Sequence, residues 1–394
     1  MNEWLKPMDK RYTAFILLLF GVFVFICSLE GVKDSFRLIS HEWVGSLFSL
    51  IESRKAPLTG LALGVLITSI VHSSSAVIAT MMVSMAGLVA SGLPLPSALS
   101  FGIPMVLGAN IGTTITKIMV AIAAKRGMTE SEFNATIPGV IVDDIVKSLN
   151  VGLFFLLEVT TGFLSSAVTQ LAGFLTDLFK LKAFFAIFEK GVVDILITEP
   201  ITKPISKIVS GFLGSGIGGL ALFILWLLGI FLALYLLEES ISSLIELPRI
   251  EKRVLATFKS PIRSFSLGLG LTVLIGSSSA ATSFAVPFLG TGMIGLEEVY
   301  PYVLGTALGT TIDPSQIYGY LAGGMVGMML GLAHVLLNVS GVIVWLLLPL
   351  RKVPIVLAKK IGAFIASHRR SHLYLIGYVL IFFYALPLAI IFLL

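Results

Sequence analysis

Val71-His72-Ser73-Ser74-Ser75-Ala76 places three consecutive hydroxyl side chains inside a long apolar run. A related stretch, Gly276-Ser277-Ser278-Ser279-Ala280, lies in a second apolar run. Each is followed by a segment rich in glycine and threonine, Gly108-Ala109-Asn110-Ile111-Gly112-Thr113-Thr114 in the first case and Gly305-Thr306-Ala307-Leu308-Gly309-Thr310-Thr311 in the second. This recurrence predicts two related halves, each contributing one serine turn to a shared binding site.

The composition is typical of an integral membrane protein. Of the 394 residues, 56% are hydrophobic and only 12% are charged, whereas soluble domains carry about 25% charged residues. We therefore predict an all-α polytopic membrane protein in which residues 1–394 form a single transmembrane domain. The net charge of +5 comes from basic clusters between apolar runs, which indicates cytoplasmic loops and not nucleic-acid binding. The single cysteine, Cys27, excludes an intramolecular disulfide and a cysteine-based metal site.

Apolar runs predict the membrane-spanning segments. The basic residues 1–12 precede a first helix at 13–29 without a cleavage site, so we expect it to be retained with a cytoplasmic N-terminus. The charged stretch 30–57 predicts an external connector that is partly an interfacial helix, and 246–263 a cytoplasmic segment. Residues 160–205 either span the membrane or lie along its surface. The other predicted membrane segments are 58–92, 97–124, 132–157, 211–237, 264–294, 299–322, 325–349 and 373–394.

The serine turns interrupt two of these apolar runs, 58–92 and 264–294. Each arm has roughly 15 residues, fewer than the roughly 20 that cross a bilayer, so each run predicts a re-entrant helical hairpin. A broken transmembrane helix and a helix that crosses back follow each hairpin. Basic residues follow the first broken helix but precede the second hairpin, which predicts two inverted repeats at 58–160 and 262–352.

The serine turns have the chemistry of an anion site. A helix that begins within the membrane presents unpaired N–H groups and the positive end of its dipole, and serine hydroxyls add donors without a full charge. The carbonyls left unpaired at the other end of a helix break, with nearby hydroxyls, are hard oxygen ligands of the kind that coordinate sodium. The alternative for a serine triplet is helix packing, with its hydroxyls bonded back to carbonyls. The expected anion ligands are Ser73, Ser74, Ser75, Ser277, Ser278 and Ser279.

Charged residues within the apolar runs are further candidates. Asp143, Asp144 and Lys147 lie within one helical turn and can pair on one face, either as a structural ion pair or as an ion or proton site. Asp313 follows Thr310 and Thr311 and is a candidate cation ligand. His72 beside Ser73 could be a base beside its nucleophile, so a membrane-embedded serine hydrolase is an alternative function.

These residues resemble the type II sodium/phosphate cotransporter family, whose repeated Gln-Ser-Ser-Ser is followed by Gly-Ser/Ala-Asn-Ile-Gly-Thr. The resemblance covers roughly 58–160 and 262–362 and includes Thr282-Ser283, Tyr300-Pro301 and the run 333–341, which contains His334 and Asn338. The chain departs from the family pattern at His72 and Gly276, which replace the glutamines, and at Ala307-Leu308, which replaces Asn-Ile. It also departs at Asp313, where a threonine is expected, and at 143–147, where the family has His-Asp-x-Phe-Asn.

The resemblance implies sodium-driven phosphate uptake, with phosphate and sodium bound at the serine turns. We therefore predict a transporter and not an enzyme, embedded in the lipid bilayer of the plasma (inner) membrane, which imports inorganic phosphate by alternating access with sodium as coupling ion and without a cofactor. Transport of another small anion, coupling to protons and a homodimeric assembly stay open. The expected cation ligands are Asn110, Thr113, Thr114, Thr310, Thr311 and Asp313, and the candidate ion or proton site comprises Asp143, Asp144, Lys147, His72, His334 and Asn338.

Overall fold

The computed structural model describes residues 10–38, 51–178, 199–244 and 256–393. Every regular element within these ranges is a helix, which confirms the all-α prediction for this part of the chain. In this described part, the helices long and apolar enough to cross a membrane are Leu95–Ala124, Gly324–Leu347 and Ser371–Leu393, and shorter apolar helices include Ala56–Val71, Ser74–Ala90 and Pro261–Ile275. Together with the composition, these helices identify a helical membrane protein.

The first helix, α1 (Lys10–Leu38), is longer than the predicted span 13–29, so the start of the predicted connector 30–57 is helical. The reason is a close contact with helix α9 (Ser215–Leu244), because a Cβ atom at Gly31 would lie 2.3 Å from the indole ring of Trp226. The packing therefore continues the helix into the charged stretch. The rest of the connector is described only from residue 51 onward.

The first predicted repeat begins with a hairpin of α2 (Ala56–Val71) and α3 (Ser74–Ala90). The broken helix follows as α4 (Leu95–Gly112) and α5 (Ile115–Ala124), separated at Thr113 and Thr114. Helix α6 (Glu130–Thr161) corresponds to the predicted segment 132–157, and a capping box between Thr129 and Glu132 fixes its first turn. These elements follow the predicted boundaries closely.

The stretch 160–205, which the sequence left open, begins with α7 (Phe163–Leu178) and ends within α8 (Glu199–Leu213). Glu158 caps α7 by accepting hydrogen bonds from the backbone N–H groups of Leu164 at 2.7 Å and Ser165 at 3.0 Å. With 16 and 15 residues, neither helix reaches the roughly 20 residues that cross a bilayer. Residues 179–198, and 245–255 of the predicted cytoplasmic segment 246–263, lie outside the described part of the chain.

The second predicted repeat has the same element order with one difference. Its hairpin consists of α10 (Pro261–Ile275), α11 (Ser278–Ser283) and α12 (Val286–Gly290), so its second arm is interrupted where α3 is continuous. Pro287 explains the interruption, because it has no N–H to donate to the carbonyl of Ser283. The broken helix follows as α13 (Leu296–Gly309), a 3-10 turn at Thr310–Ile312 and α14 (Pro314–Ala322).

The C-terminal part contains two further predicted spans. Helix α15 (Gly324–Val342) continues through a π-helical segment, Ile343–Leu347, close to the predicted 325–349. After a 3-10 turn at Pro349–Arg351, the basic segment forms α16 (Lys352–Ala366). The predicted last span, 373–394, corresponds to α17 (Ser371–Val379), a π-helical segment at Leu380–Ala385 and α18 (Leu386–Leu393).

Glycines set the same helix crossing in both halves. A Cβ atom at Gly108 of α4 would lie 2.0 Å from the carbonyl oxygen of Leu61 in α2. A Cβ atom at Gly305 of α13 would lie 2.0 Å from the carbonyl oxygen of Phe265 in α10. Both broken helices can therefore approach the first arm of their hairpin only because these positions lack a side chain.

The two halves interlock in the core. Helix α15 of the second half packs with α3 and α4, so that Leu330 fills the space beside Gly102. Helices α5 and α6 of the first half pack with the second hairpin, where Leu289 fills the space beside Gly139. The helix breaks and serine turns therefore lie at the junction of the halves.

Candidate functional site

The two serine turns, residues 72–75 and 276–279, have nearly identical backbones. His72 has φ 60° and ψ 15°, and Gly276 has φ 69° and ψ 14°, so both end their helix in the left-handed conformation. Ser73 and Ser277 are extended, and their hydroxyls accept hydrogen bonds from the N–H groups of Ala76 at 3.4 Å and Ala280 at 3.2 Å. Each turn is therefore a left-handed cap followed by a serine N-cap.

The serine turns contact each other. The hydroxyl of Ser279 donates a hydrogen bond to the backbone carbonyl of His72 at 2.9 Å and lies 3.4 Å from the hydroxyl of Thr113. Ser74, Ser75, Ser278 and Ser279 are buried. The structure thus brings the two serine turns into contact beside the break between α4 and α5.

Asp313 binds the first serine turn from the other half of the chain. Its Oδ2 accepts a hydrogen bond from the hydroxyl of Ser75, and its Oδ1 caps α14 by accepting from the N–H of Gln316 at 3.0 Å. The side-chain amide of Gln316 donates to the carbonyl of Ser75 at 2.8 Å. Asp313, the N-cap of α14, therefore holds the hydroxyl of Ser75, and Gln316 within α14 holds its carbonyl.

Gln316 is a site residue that the sequence reasoning missed. The signal was present, because Asp313-Pro314-Ser315-Gln316 has the spacing of an N-cap residue followed by glutamine at the third helical position. Gln316 is fully buried and its Oε1 lies 3.3 Å from Nδ1 of His334. Since the amide nitrogen is committed to Ser75, Oε1 is the acceptor and His334 Nδ1 is the donor.

Two other predicted residues, Asn110 and Asn338, meet next to this contact. The amide of Asn338 donates to the carbonyl of His334 at 3.0 Å and to the Oδ1 of Asn110 at 3.4 Å. Asn110 in turn donates to the carbonyl of Val106 at 3.0 Å. Nε2 of His334 is buried and has no hydrogen-bond partner among the described residues. Polar groups from α4 and α15 therefore line one side of the junction.

The hydroxyls of the predicted threonines differ in their hydrogen-bond partners. Thr310 and Thr311 donate their hydroxyl protons to carbonyls of their own helix, Thr311 to Leu308 at 2.7 Å. Thr114 differs, because its hydroxyl proton is shared between the carbonyl of Ile111 at 2.8 Å and Oδ1 of Asp144 at 3.1 Å. With its proton committed to a carbonyl, a threonine hydroxyl keeps lone pairs that can face a cation.

A buried cluster of charges lies beside the first break. Lys147 pairs with Asp143 at 3.2 Å, as the four-residue spacing predicted. Lys117 of α5, which the sequence reasoning missed, also pairs with Asp143 through the same oxygen, Oδ2. Asp144 does not share these ion pairs and instead accepts from Thr114 and from Ser148 at 3.4 Å. Two lysines and two aspartates give the cluster no net charge.

Asp313 differs from this cluster because no lysine or arginine of the described residues pairs with it, although it is fully buried. A buried carboxylate without a cation is costly in a membrane interior, which makes Asp313 a candidate functional residue. The charged cluster is therefore balanced, whereas Asp313 is not. His72, another candidate of the ion or proton site, is exposed, and its Nδ1 lies 3.2 Å from the hydroxyl of Thr116.

Comparison with known proteins adds an independent result. A family model described as Na+/Pi-cotransporter matches residues 17–188 and 230–393. The chain is similar to bovine sodium-dependent phosphate transport protein 2B, with 28% identity over 95% of this chain and 64% of the relative. It is also similar to rat sodium-dependent phosphate transport protein 2A, with 27% identity over 98% of this chain and 68% of the relative. The chain thus covers about two thirds of these relatives, and slightly less of the bovine one. No solved structure matches.

Proposed function

Because this chain belongs to the Na+/Pi-cotransporter family, we propose that it imports inorganic phosphate together with sodium. It is a secondary transporter and not an enzyme, and the inward sodium gradient drives the uptake. It lies in the plasma (inner) membrane with a cytoplasmic N-terminus, which Lys6, Lys10 and Arg11 favour.

The observation that carries this proposal is the contact between the serine turns through Ser279 and the carbonyl of His72. Phosphate binds between the turns. The hydroxyls of Ser74 and Ser278, which the hydrogen bonds described above leave uncommitted, donate to it directly. Ser73, Ser75, Ser277 and Ser279 complete the site with hydroxyls and backbone N–H groups, which are suitable donors for an anion that must also be released.

Sodium binds at the helix breaks, with Asp313 as its charged ligand. Asn110, Thr113, Thr114, Thr310 and Thr311 supply neutral oxygens at the two breaks or support those that do. The uncompensated charge of Asp313 favours this site, since a sodium ion would neutralise it. At the neutral Lys117–Asp143–Lys147–Asp144 cluster, a sodium ion would instead add an uncompensated positive charge.

The hydrogen bond from Ser75 to Asp313 provides a way to couple the two ions. Sodium at Asp313 replaces the hydroxyl as the partner of the carboxylate, so that Ser75 becomes free to donate to phosphate. Sodium and phosphate then each increase the affinity for the other, because such a coupling free energy is reciprocal.

Residues 58–160 and 262–352 act as inverted repeats that rock against each other and expose the site to each side in turn. The matching serine-turn backbones and the matching glycine crossings at Gly108 and Gly305 support two copies of one unit. Their inverted orientation rests on the distribution of basic residues in the sequence.

Coupling to protons is the alternative that a specific observation favours. Asp313, Gln316 and the unpartnered Nε2 of His334 form a buried group that could hold a proton in place of sodium. Transport of another small anion differs only in the substrate. The hydrolase alternative has less support, because the ring of His72 contacts Thr116.

Uptake of labelled phosphate into proteoliposomes distinguishes these functions. We expect accumulation under an inward sodium gradient, collapse of that accumulation with a sodium ionophore, and none under a potassium gradient. Accumulation driven only by a proton gradient would support proton coupling. Sodium-driven uptake of another anion with no uptake of phosphate would show that the substrate is that anion.

A further inference from the structure

A charged cavity lies outside the proposed transport site. It has a volume of about 360 Å³ and lies where the segment before α10, the start of α13 and the start of α16 meet. None of the serines, threonines, asparagines or aspartates of the proposed transport site lines it. The proposed transport of phosphate and sodium therefore gives this cavity no role.

The cavity carries an excess of positive charge. Its lining includes four cations, Lys259, Arg351, Lys352 and Lys359, against the carboxylates of Glu297 and Glu298. Glu297 pairs with Lys359 at 3.0 Å, and Glu298 accepts a hydrogen bond from the N–H of Gly295 at 2.7 Å. No carboxylate of the described residues pairs with Lys259, Arg351 or Lys352, so these three cations are available to an anionic ligand.

The position of the cavity points to the membrane–water interface. Leu346, one of its lining residues, belongs to the membrane-spanning helix that ends at Leu347. Arg351 and Lys352 follow within the next turn. A cation directly beyond the end of a span lies at the depth of the lipid phosphates.

Apolar side chains form the rest of the wall. Phe258, Pro261, Ile355 and Val356 line the cavity together with Leu346. Leu347 and Leu350 beside it expose 71% and 46% of their surface, which is expected where acyl chains cover a protein. A cavity with a cationic end and an apolar wall matches a molecule that is anionic at one end and apolar at the other.

We propose that this cavity binds the phosphodiester headgroup of an anionic phospholipid. Arg351 and Lys352 contact the phosphate, Lys259 faces it from the other wall, and the acyl chains lie along Leu346 and Val356. Free inorganic phosphate shares the anionic group but would leave the apolar wall unused, so the lipid fits the cavity better.

Native mass spectrometry of the detergent-solubilised protein tests this site. The protein is titrated with phosphatidylglycerol or with phosphatidylcholine, and the affinity for the first bound lipid is compared. Each cation near a membrane surface contributes about fivefold to the binding of an anionic lipid. We therefore expect the variant Arg351→Gln/Lys352→Gln to bind phosphatidylglycerol about 20- to 30-fold more weakly, with phosphatidylcholine binding unchanged.

The matched control is Lys360→Gln/Arg369→Gln, which removes two exposed cations of the same basic segment that do not line the cavity. This control should keep the wild-type preference for phosphatidylglycerol. The proposal is wrong if both double variants lose the preference equally, if neither loses it, or if the wild-type protein has no preference. Displacement of the first phosphatidylglycerol by excess inorganic phosphate would assign the cavity to the free ion.

Discussion

The hydroxyl of Ser75 donates a hydrogen bond to the carboxylate of Asp313, a residue from the other half of the chain. The same carboxylate caps α14, and Gln316 in that helix holds the carbonyl of Ser75. The first serine turn is therefore connected to the second helix break, and the proposed coupling between sodium and phosphate rests on this connection.

Asp313→Asn removes the charge of the proposed sodium ligand and keeps the shape of the side chain. We expect the apparent sodium affinity in phosphate uptake to fall about tenfold or more, because a charged ligand becomes a neutral one. The measurement is the initial rate of uptake against sodium concentration.

Asp177→Asn is the control for this substitution, because Asp177 is exposed on α7. It should keep the sodium dependence of the wild-type protein. An unchanged sodium affinity in Asp313→Asn would remove Asp313 from the sodium site.

Ser74→Ala and Ser278→Ala test whether both serine turns bind the anion. A hydrogen bond to a charged group contributes about 1.5–3 kcal/mol, so each substitution should weaken phosphate binding about 10- to 100-fold. The half-saturating phosphate concentration for uptake measures this effect. If one variant loses activity and the other behaves like the wild type, a single-serine mechanism such as hydrolysis would explain the result better.

Lys117 and Asp143 form a buried ion pair that can be tested by a double-mutant cycle. Lys117→Met alone leaves the cluster with excess negative charge and should lower the free energy of unfolding by about 3–5 kcal/mol. Adding Asp143→Asn restores the balance between Lys147 and Asp144 and should recover most of that loss. Thermal unfolding in detergent gives the coupling, and additive effects would show that the pair is not formed.

Gly108→Ala and Gly305→Ala test the helix crossings of the two halves. Each new Cβ atom would lie 2.0 Å from a backbone carbonyl oxygen, so the helices must separate. We expect both variants to lose about 1–3 kcal/mol of stability, which is the usual cost of overpacking. Gly152→Ala on α6 is the control, because a Cβ atom there meets nothing within 4 Å. A large loss only at Gly108 would argue against equivalent halves.

Local sequence patterns predicted much of this arrangement. The helix breaks were predicted from the three serines within each apolar run and from the paired Gly-Thr segments. Short polar stretches of this kind interrupt helices in apolar runs. The i,i+4 spacing predicted the ion pair of Asp143 and Lys147.

Contacts between distant residues could not be predicted in this way. The partnership of Ser75 with Asp313 depends on how the halves interlock, and no local spacing contains that information. Lys117 was missed because a single lysine in an apolar run gives no sign of its partner, which lies on another helix. The length of α1 was missed because its packing against α9, and not its own composition, extends it.

The most direct test of the central claim is to locate the anion. Arsenate is a tetrahedral analogue of phosphate, and its anomalous scattering marks its position in a crystal grown with sodium. The proposed function predicts one peak between the serine turns, with the arsenic atom within about 4 Å of donors from both Ser74–Ser75 and Ser278–Ser279. A peak that contacts only one turn, or that lies elsewhere while the turns stay empty, would contradict it.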